Sequence, residues 1–352
     1  MKNNFAFLLS IVFGLLSVSS CKTDSAFLCN RPVHGEPTGT ISKIAFGSCS
    51  SENKEQPILN AVAAKQNDMF VYLGDNIYGD TQDMNVLLTK YGKLSCKPEF
   101  QNLLKSCKVV ATWDDHDYGV NDGGVEYAKK EESKNIFLSF WNEPAVSERR
   151  NHAGIYTSYC YGDSAHRVQI ILMDLRTFRT HLITDANDNY IPNTDSSATM
   201  LGVEQWNWMK NELLKPAQIR IIGSSTQFAR SLDGYEAWEN FPLEQQKMFQ
   251  TIRDANANGV VFISGDVHLA ELSKRTEQNL YPVYDLTSSG ITQLEGVDIP
   301  NTNRIGNVVL DYNTGAIEID WQQTDPEIFF KIYGLNGEEL FTQSIHLSEL
   351  HF

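Results

Sequence analysis

Three apolar runs in this chain end directly on acids. Met69-Phe70-Val71-Tyr72-Leu73 leads into Gly74-Asp75-Asn76-Ile77-Tyr78, Val109-Val110-Ala111-Thr112-Trp113 into Asp114-Asp115-His116-Asp117, and Val260-Val261-Phe262-Ile263-Ser264 into Gly265-Asp266-Val267-His268. Short runs rich in Val, Ile and aromatics read as buried strands. A strand over 41–46, a helix over 57–65 and the strand at 69–73 follow one another, which is the signature of a parallel α/β sheet. In such sheets ligands gather outside the carboxyl ends of the strands. Glycine at position 74 lets the backbone turn there, presenting Asp75 at the strand end and the Tyr78 phenol one turn away. Crowded carboxylates raise one another's pKa unless a cation neutralises them, so repeated strand-end acids argue for a metal centre.

The remaining apolar runs extend this pattern. Strands are expected at 168–173, ending on Asp174-Leu175-Arg176, and at 219–223, with helices over 133–141, 203–214 and 243–257. Trp206 and Trp208 fall in the second of these helices as packing residues. Residues 180–199, rich in Asp, Asn, Ser and Thr, read as a surface loop. From Tyr281 onward the runs at 283–286, 308–310, 316–319 and 328–333 read as antiparallel strands, with Asn336-Gly337 as a hairpin turn into 340–345. No internal repeat or linker divides residues 41–352, which are expected to form a single catalytic domain.

The chain has 352 residues and a net charge of −15, which repels polyanions at long range and argues against nucleic acid as a partner. A phosphate-bearing ligand would have to be held by metals or a local arginine. The first twenty residues read as a signal peptide: Lys2, an apolar run from Phe5 to Leu16, then small residues. That run is shorter than the roughly 20 residues a membrane span needs. Val18-Ser19-Ser20-Cys21 resembles a bacterial lipobox with Cys21 as a lipidated N-terminus, and residues 21–40 read as a tether. The expected setting is therefore periplasmic, secreted or at the cell surface. An exported chain makes disulfides plausible, and among the six cysteines Cys96 and Cys107 are the nearest pair outside the metal and lipid candidates.

Five blocks in order, Phe46-Gly47-Ser48-Cys49, Gly74-Asp75-Asn76-Ile77-Tyr78, Thr112-Trp113-Asp114-Asp115-His116-Asp117, Asp174-Leu175-Arg176 and Gly265-Asp266-Val267-His268, resemble the alkaline phosphatase D family of binuclear metallophosphoesterases. The resemblance implies a two-sheet αββα sandwich with a β-rich C-terminal part. It also implies a ferric ion with one or more divalent ions, Ca2+ among them, and hydrolysis of phosphate mono- or diesters, lipid head groups included, by a metal-bound hydroxide. Carried over by position, the metal ligands are Cys49, Asp75, Tyr78, Asp115, Asp266 and His268, anionic donors that suit iron in its higher charge state. His116 becomes the acid for the leaving oxygen and Arg176 the phosphate clamp, with Arg179 a second candidate. Asn121 and Asp122 could reach a divalent ion, and Asp115 is preferred over Asp114 and Asp117 as the ligand.

Each residue also has a plainer role. Cys49 could be a buried small hydrophobe, Asp114 to Asp117 a solvated turn, and Arg176 a structural partner of Asp174. Two other functions compete. A glycosidase would use Asp75 and Asp115 as its carboxylate pair but leaves Cys49, Tyr78 and His268 idle. A non-catalytic exported calcium-binding protein would need neither His116 nor Arg176.

Overall fold

The computed structural model describes residues 28–231 and 234–352, so the signal-peptide and lipobox readings lie outside the described residues. Two large sheets carry the fold, with helices outside each. In chain order the elements are β1 (Lys43–Gly47), α1 (Ile58–Ala64), β2 (Met69–Leu73), α2 (Met84–Ser95), α3 (Pro98–Ser106), β3 (Lys108–Thr112), α4 (Asp115–Tyr118), α5 (Lys130–Phe140), β4 (Thr157–Tyr161) and β5 (Val168–Leu172). There follow β6 (Ile183–Thr184), β7 (Tyr190–Ile191), α6 (Gly202–Leu213), β8 (Ile219–Ser224), α7 (Pro242–Asp254), β9 (Val260–Ser264), β10 (Ala270–Arg275), β11 (Val283–Ser288), β12 (Arg304–Val309), β13 (Thr314–Asp320), β14 (Glu327–Tyr333) and β15 (Glu339–His346).

The first sheet has the order β15-β14-β13-β1-β2-β3 and the second β12-β10-β11-β9-β8-β5-β4. Within them β1, β2 and β3 run parallel, as do β5, β8, β9 and β11. Every residue of β2, β5, β8 and β9 is buried, as expected of parallel strands covered on both faces. Side chains alternate across the pleat and so divide between two cores. Ile44, Phe46, Met69, Val71 and Leu73 join the second sheet and Trp206, Met209, Phe249 and Ile252 of its helices. Ala45, Phe70, Tyr72 and Ala111 face the other way, onto Leu59, Leu94, Leu103 and Phe137 of α1, α2, α3 and α5. This is the expected αββα sandwich.

Three expectations need correction. The strands after Tyr281 do not form one antiparallel run: β11 and β12 complete the second sheet, whereas β13 crosses to pair with β1 in the first. Cys96 does not bond Cys107, which remains a free buried thiol; its partner is Cys29, at a Cα–Cα distance of 5.1 Å. The nine residues of α3 separate Cys96 from Cys107. At about 1.5 Å of rise per residue they hold the two apart by far more than a disulfide spans. Residues 28–40 contain no helix or strand, but Cys29 pins this segment to the end of α2, where its N–H also donates to Ser95 Oγ at 2.9 Å. Among the described residues no helix is long and apolar enough to cross a membrane.

Candidate metal centre

The carboxyl ends of β1, β2, β3 and β9 meet at one edge of the sandwich. Backbone bonds join the loops that leave them: Cys49 N–H donates to Gly74 C=O at 3.4 Å and Ser50 N–H to Asp75 C=O at 2.8 Å. Gly74 has φ +103°, and a Cβ there would lie 2.4 Å from the Cβ of Asp114, so only glycine lets these strand ends converge. Cys49, Asp75, Asp266 and His268 also have positive φ, at 61°, 49°, 79° and 57°. Non-glycine residues adopt this region only where their surroundings over-determine it, and such strain clusters at functional sites.

Four of the six expected ligands, Cys49, Asp75, Asp115 and His268, fall in two overlapping groups, the second of which also contains His116. Ligand atoms of Cys49, Asp75 and His268 lie within 4.8 Å of one another, as do those of Asp75, Asp115 and His116. Asp75 belongs to both. Its Oδ2 is 3.5 Å from Cys49 Sγ, and Tyr78 Oη is 3.3 Å from His268 Nε2. Asp266 stands outside both groups with its carboxylate but lines the same cleft, and its backbone oxygen is 3.4 Å from Cys49 Sγ.

The acid cluster after β3 divides by role. Asp117 accepts from the Asp114 N–H at 2.7 Å and from the Asn76 amide and Tyr91 hydroxyl, so it braces the turn. Asp114 is paired with Arg176 and accepts from Ser225 Oγ at 2.6 Å. Asp115 accepts from the Asp122 N–H at 2.7 Å through Oδ2, while its Oδ1 is buried without a hydrogen-bond donor, like Asp75 Oδ1. Asn121 and Asp122 line the cleft, but Tyr190 Oη holds the Asp122 carboxylate at 2.6 Å.

Burial, followed by repulsion from Asp115, Asp114 and Asp117, pushes the Asp75 carboxyl far above the ordinary range. Burial and neighbouring acids do the same to Asp266. Asp114 and Asp117 are pushed up to about 8 and about 7, in both cases chiefly by burial. Burial also raises the Cys49 thiol and the Tyr78 phenol. Such a set strongly favours a neutralising cation. Three buried carboxylate oxygens here lack a donor, on Asp75, Asp114 and Asp115, and those of Asp75 and Asp115, with thiol, phenol and imidazole beside them, fit a pair of metal ions sharing Asp75.

His116 rests against Tyr78, ring centroids 4.4 Å apart, and its Nδ1 lies 2.6 Å from Asp80 Oδ1. Burial disfavours the charged ring, yet the Asp80 bond and the nearby Asp115 and Asp114 prevail and raise it to about 9. Arg176 does not reach the Asp174 side chain with its guanidinium. Nε donates to Asp114 at 2.6 Å, and Nη1 takes both oxygens of Glu236, at 2.9 and 2.8 Å. Arg179 Nε is 3.1 Å from the same Glu236. Above these groups opens a cleft of about 310 Å³, lined by Asp115, His116, Tyr190, Glu236, Asp266 and His268 among others.

Asp80 and Glu236 were absent from the sequence-derived set. Asp80 could have been found, because it closes the Gly74–Tyr78 block as a further acid five residues past Asp75. Nothing in the pattern around Glu236 marks it.

Comparison with known proteins agrees with this geometry. The sequence is 24% identical to alkaline phosphatase D of Bacillus subtilis (strain 168) over 308 residues, covering 74% of this chain but 51% of that protein, about half its length. The solved structure of PhoD superposes with a TM-score of 0.67 at 16% identity, over 89% of this chain and 70% of that one. A dimetal phosphatase from Danio rerio gives 0.54 at 11% identity, over 88% and 99% of the two chains. GAP50, described as the anchor in the inner membrane complex of Plasmodium, gives 0.55 at 14%, over 87% and 89%. These likenesses concern the fold, whereas the sequence pattern of PhoD-like phosphatases matches residues 44–297, a span that holds every residue of the centre; the chain belongs to the PhoD-like phosphatase family.

Proposed function

We propose that this protein hydrolyses phosphate esters with two metal ions held by Cys49, Asp75, Tyr78, Asp115, Asp266 and His268. The observation that carries the reading is that buried Asp75, whose Oδ1 has no hydrogen-bond donor, belongs to two ligand groups whose members Asp115, His116 and His268 line an open cleft. Metal ions bound there would polarise a phosphoryl oxygen and supply a nucleophile at neutral pH. Thiolate, phenolate and carboxylate donors favour a ferric ion at the Cys49–Tyr78 side. Asp115 and its oxygen-rich surroundings favour a divalent hard cation such as Ca2+.

The chain's own groups do the rest. Asp80 holds His116 Nδ1, which fixes the ring and leaves Nε2 to carry a proton to the departing oxygen. The reading extends to mono- and diesters, phospholipid head groups among them, and a cleft of about 310 Å³ beside the ligand groups supports it. The apolar N-terminus and the lipobox-like Val18-Ser19-Ser20-Cys21 support export and a lipid anchor at Cys21.

Metal analysis and a panel of phosphomono- and diesters on purified protein test the proposal. Iron with a divalent metal, hydrolysis abolished by chelation, and a visible charge-transfer band altered in Tyr78→Phe are expected. Failure to cleave any ester with both metals present overturns the reading, and a colourless, active zinc protein overturns the ferric assignment. Cys21→Ala should move active enzyme from the membrane to the soluble fraction; soluble wild type with an unmodified N-terminus other than Cys21 rejects the anchor.

A further inference from the structure

Two buried guanidiniums lie behind Glu236, which lines the cleft, and neither is available to a ligand. Arg176 and Arg179 have side chains 0% and 1% exposed, and both are turned onto Glu236, itself 4% exposed. Glu236 accepts from Arg176 Nη1 with both oxygens, and Arg179 Nε approaches one of them to 3.1 Å as an ion pair. Glu236 lines the same cleft as Asp115, Asp122, Asp266 and His268, so its carboxylate lies where the arginines and the candidate ligand acids approach one another. A phosphoryl group seated over Asp115, Asp266 and His268 would meet this carboxylate in the same cleft.

On the phosphoesterase reading given above, we infer that Glu236 occupies the place of the substrate's phosphoryl oxygens on Arg176 and Arg179, and that substrate binds by exchanging with it. A carboxylate and a phosphoryl group present the same paired oxygens to a guanidinium fork. Without Glu236, Arg176 keeps Asp114 but the buried Arg179 loses the carboxylate it is paired with, a costly state, so an empty cleft favours a resident carboxylate. The exchange is a side-chain rotation, because the backbone is pinned on both sides. Tyr190 N–H donates to Gly234 C=O at 2.8 Å, Ala237 N–H to Asn240 Oδ1 at 2.7 Å, and Trp238 N–H to Gln227 C=O at 3.1 Å. The displaced carboxylate has the open cleft to turn into. Substrate affinity is then lowered by the fraction of time that Glu236 is seated.

Inorganic phosphate, titrated calorimetrically into metal-loaded protein, tests the exchange. Glu236→Gln should bind phosphate about tenfold tighter than wild type, the scale of one charge-assisted hydrogen bond. In an Arg179→Gln background that gain should shrink to about threefold or less, because one of the released donors is gone. An equal gain in both backgrounds means that removing any negative charge suffices, and overturns the inference. Unchanged or weaker binding with normal melting and metal content does the same. A crystal structure of wild type with phosphate decides the matter if the variants do not fold: phosphate on the arginines supports exchange, whereas phosphate bound with Glu236 still seated rejects it. Wild type that cleaves esters with Glu236 seated loses only this inference; wild type that neither binds phosphate nor cleaves esters loses the phosphoesterase reading as well.

Discussion

His116 is the residue whose surroundings most narrowly define its work. Asp80 holds Nδ1 at 2.6 Å, Tyr78 covers one ring face, and the neighbouring carboxylates favour the protonated ring. A positioned acid is worth roughly 10² to 10⁴ in rate. His116→Ala should therefore lose that much on alkyl phosphates and much less on nitrophenyl esters, whose leaving groups depart unprotonated. Equal losses on both would assign His116 to metal binding, which its place beside Asp75 and Asp115 also permits. On the proposed role of His116, Asp80 would act through it. Asp80→Asn should cost about tenfold, as an orienting partner does, with the same bias toward poor leaving groups. A flat loss across leaving groups would show that Asp80 only supports the loop. The candidate ligand residues could be picked out of the sequence because each follows an apolar strand in the order of the family blocks. Glu236 was not, since its role arises from a loop that folds back onto arginines some sixty residues earlier, a contact that no local pattern encodes.

At the scale of elements, the parallel strands were read almost residue for residue, β2 and β9 with their exact limits. Continuous burial on both faces leaves an uninterrupted apolar signal. The C-terminal strands were recognised as strands and read as an antiparallel run, but their division between two sheets and the parallel pairing of β11 with β9 were not read, because period-two patterning reports the faces of a strand and not its neighbours. Helices α2 and α3 left no recognised pattern, although Asp83 caps α2 by accepting from Asn85 N–H at 2.9 Å and Pro98 opens α3. The Cys29–Cys96 bond ties the N-terminal segment to the end of α2 across 67 residues of sequence. A loop of that size corresponds to roughly 4 kcal/mol in the chain-entropy account, and measured effects usually fall between about 2 and 4 kcal/mol. Cys29→Ser should lower the melting temperature by that equivalent while leaving metal content and ester hydrolysis intact. Reductant should lower wild type to the same point and leave the variant unmoved. A variant as stable as wild type would show that packing alone holds residues 28–40.

The whole molecule concentrates acidic groups at one edge of a sandwich that already carries a net charge of −15. Without metal, Asp75 and Asp266 are raised well above the ordinary carboxyl range, Asp114 to about 8 and Asp117 to about 7, with burial the leading cause in each. In the unfolded chain the same carboxyls titrate near 4. Between about pH 4 and pH 8 the folded apoprotein therefore holds protons that the unfolded chain has released, and stability falls as pH rises through that window. Bound cations reverse the balance, since the ligands must be deprotonated to bind and their charge is then compensated. Protein stripped by chelation should accordingly melt at progressively lower temperature from pH 5.5 to pH 8. Reloading with iron and a divalent ion should flatten the slope and give its largest rise in melting temperature at the alkaline end. Moderate salt in all samples removes the contribution of exposed surface charge, which it screens far more than the buried cluster. If stripped and reloaded protein show the same slope, or the stripped form grows more stable toward pH 8, the acids at the strand ends are not the groups that a cation neutralises, and the metal centre lies elsewhere.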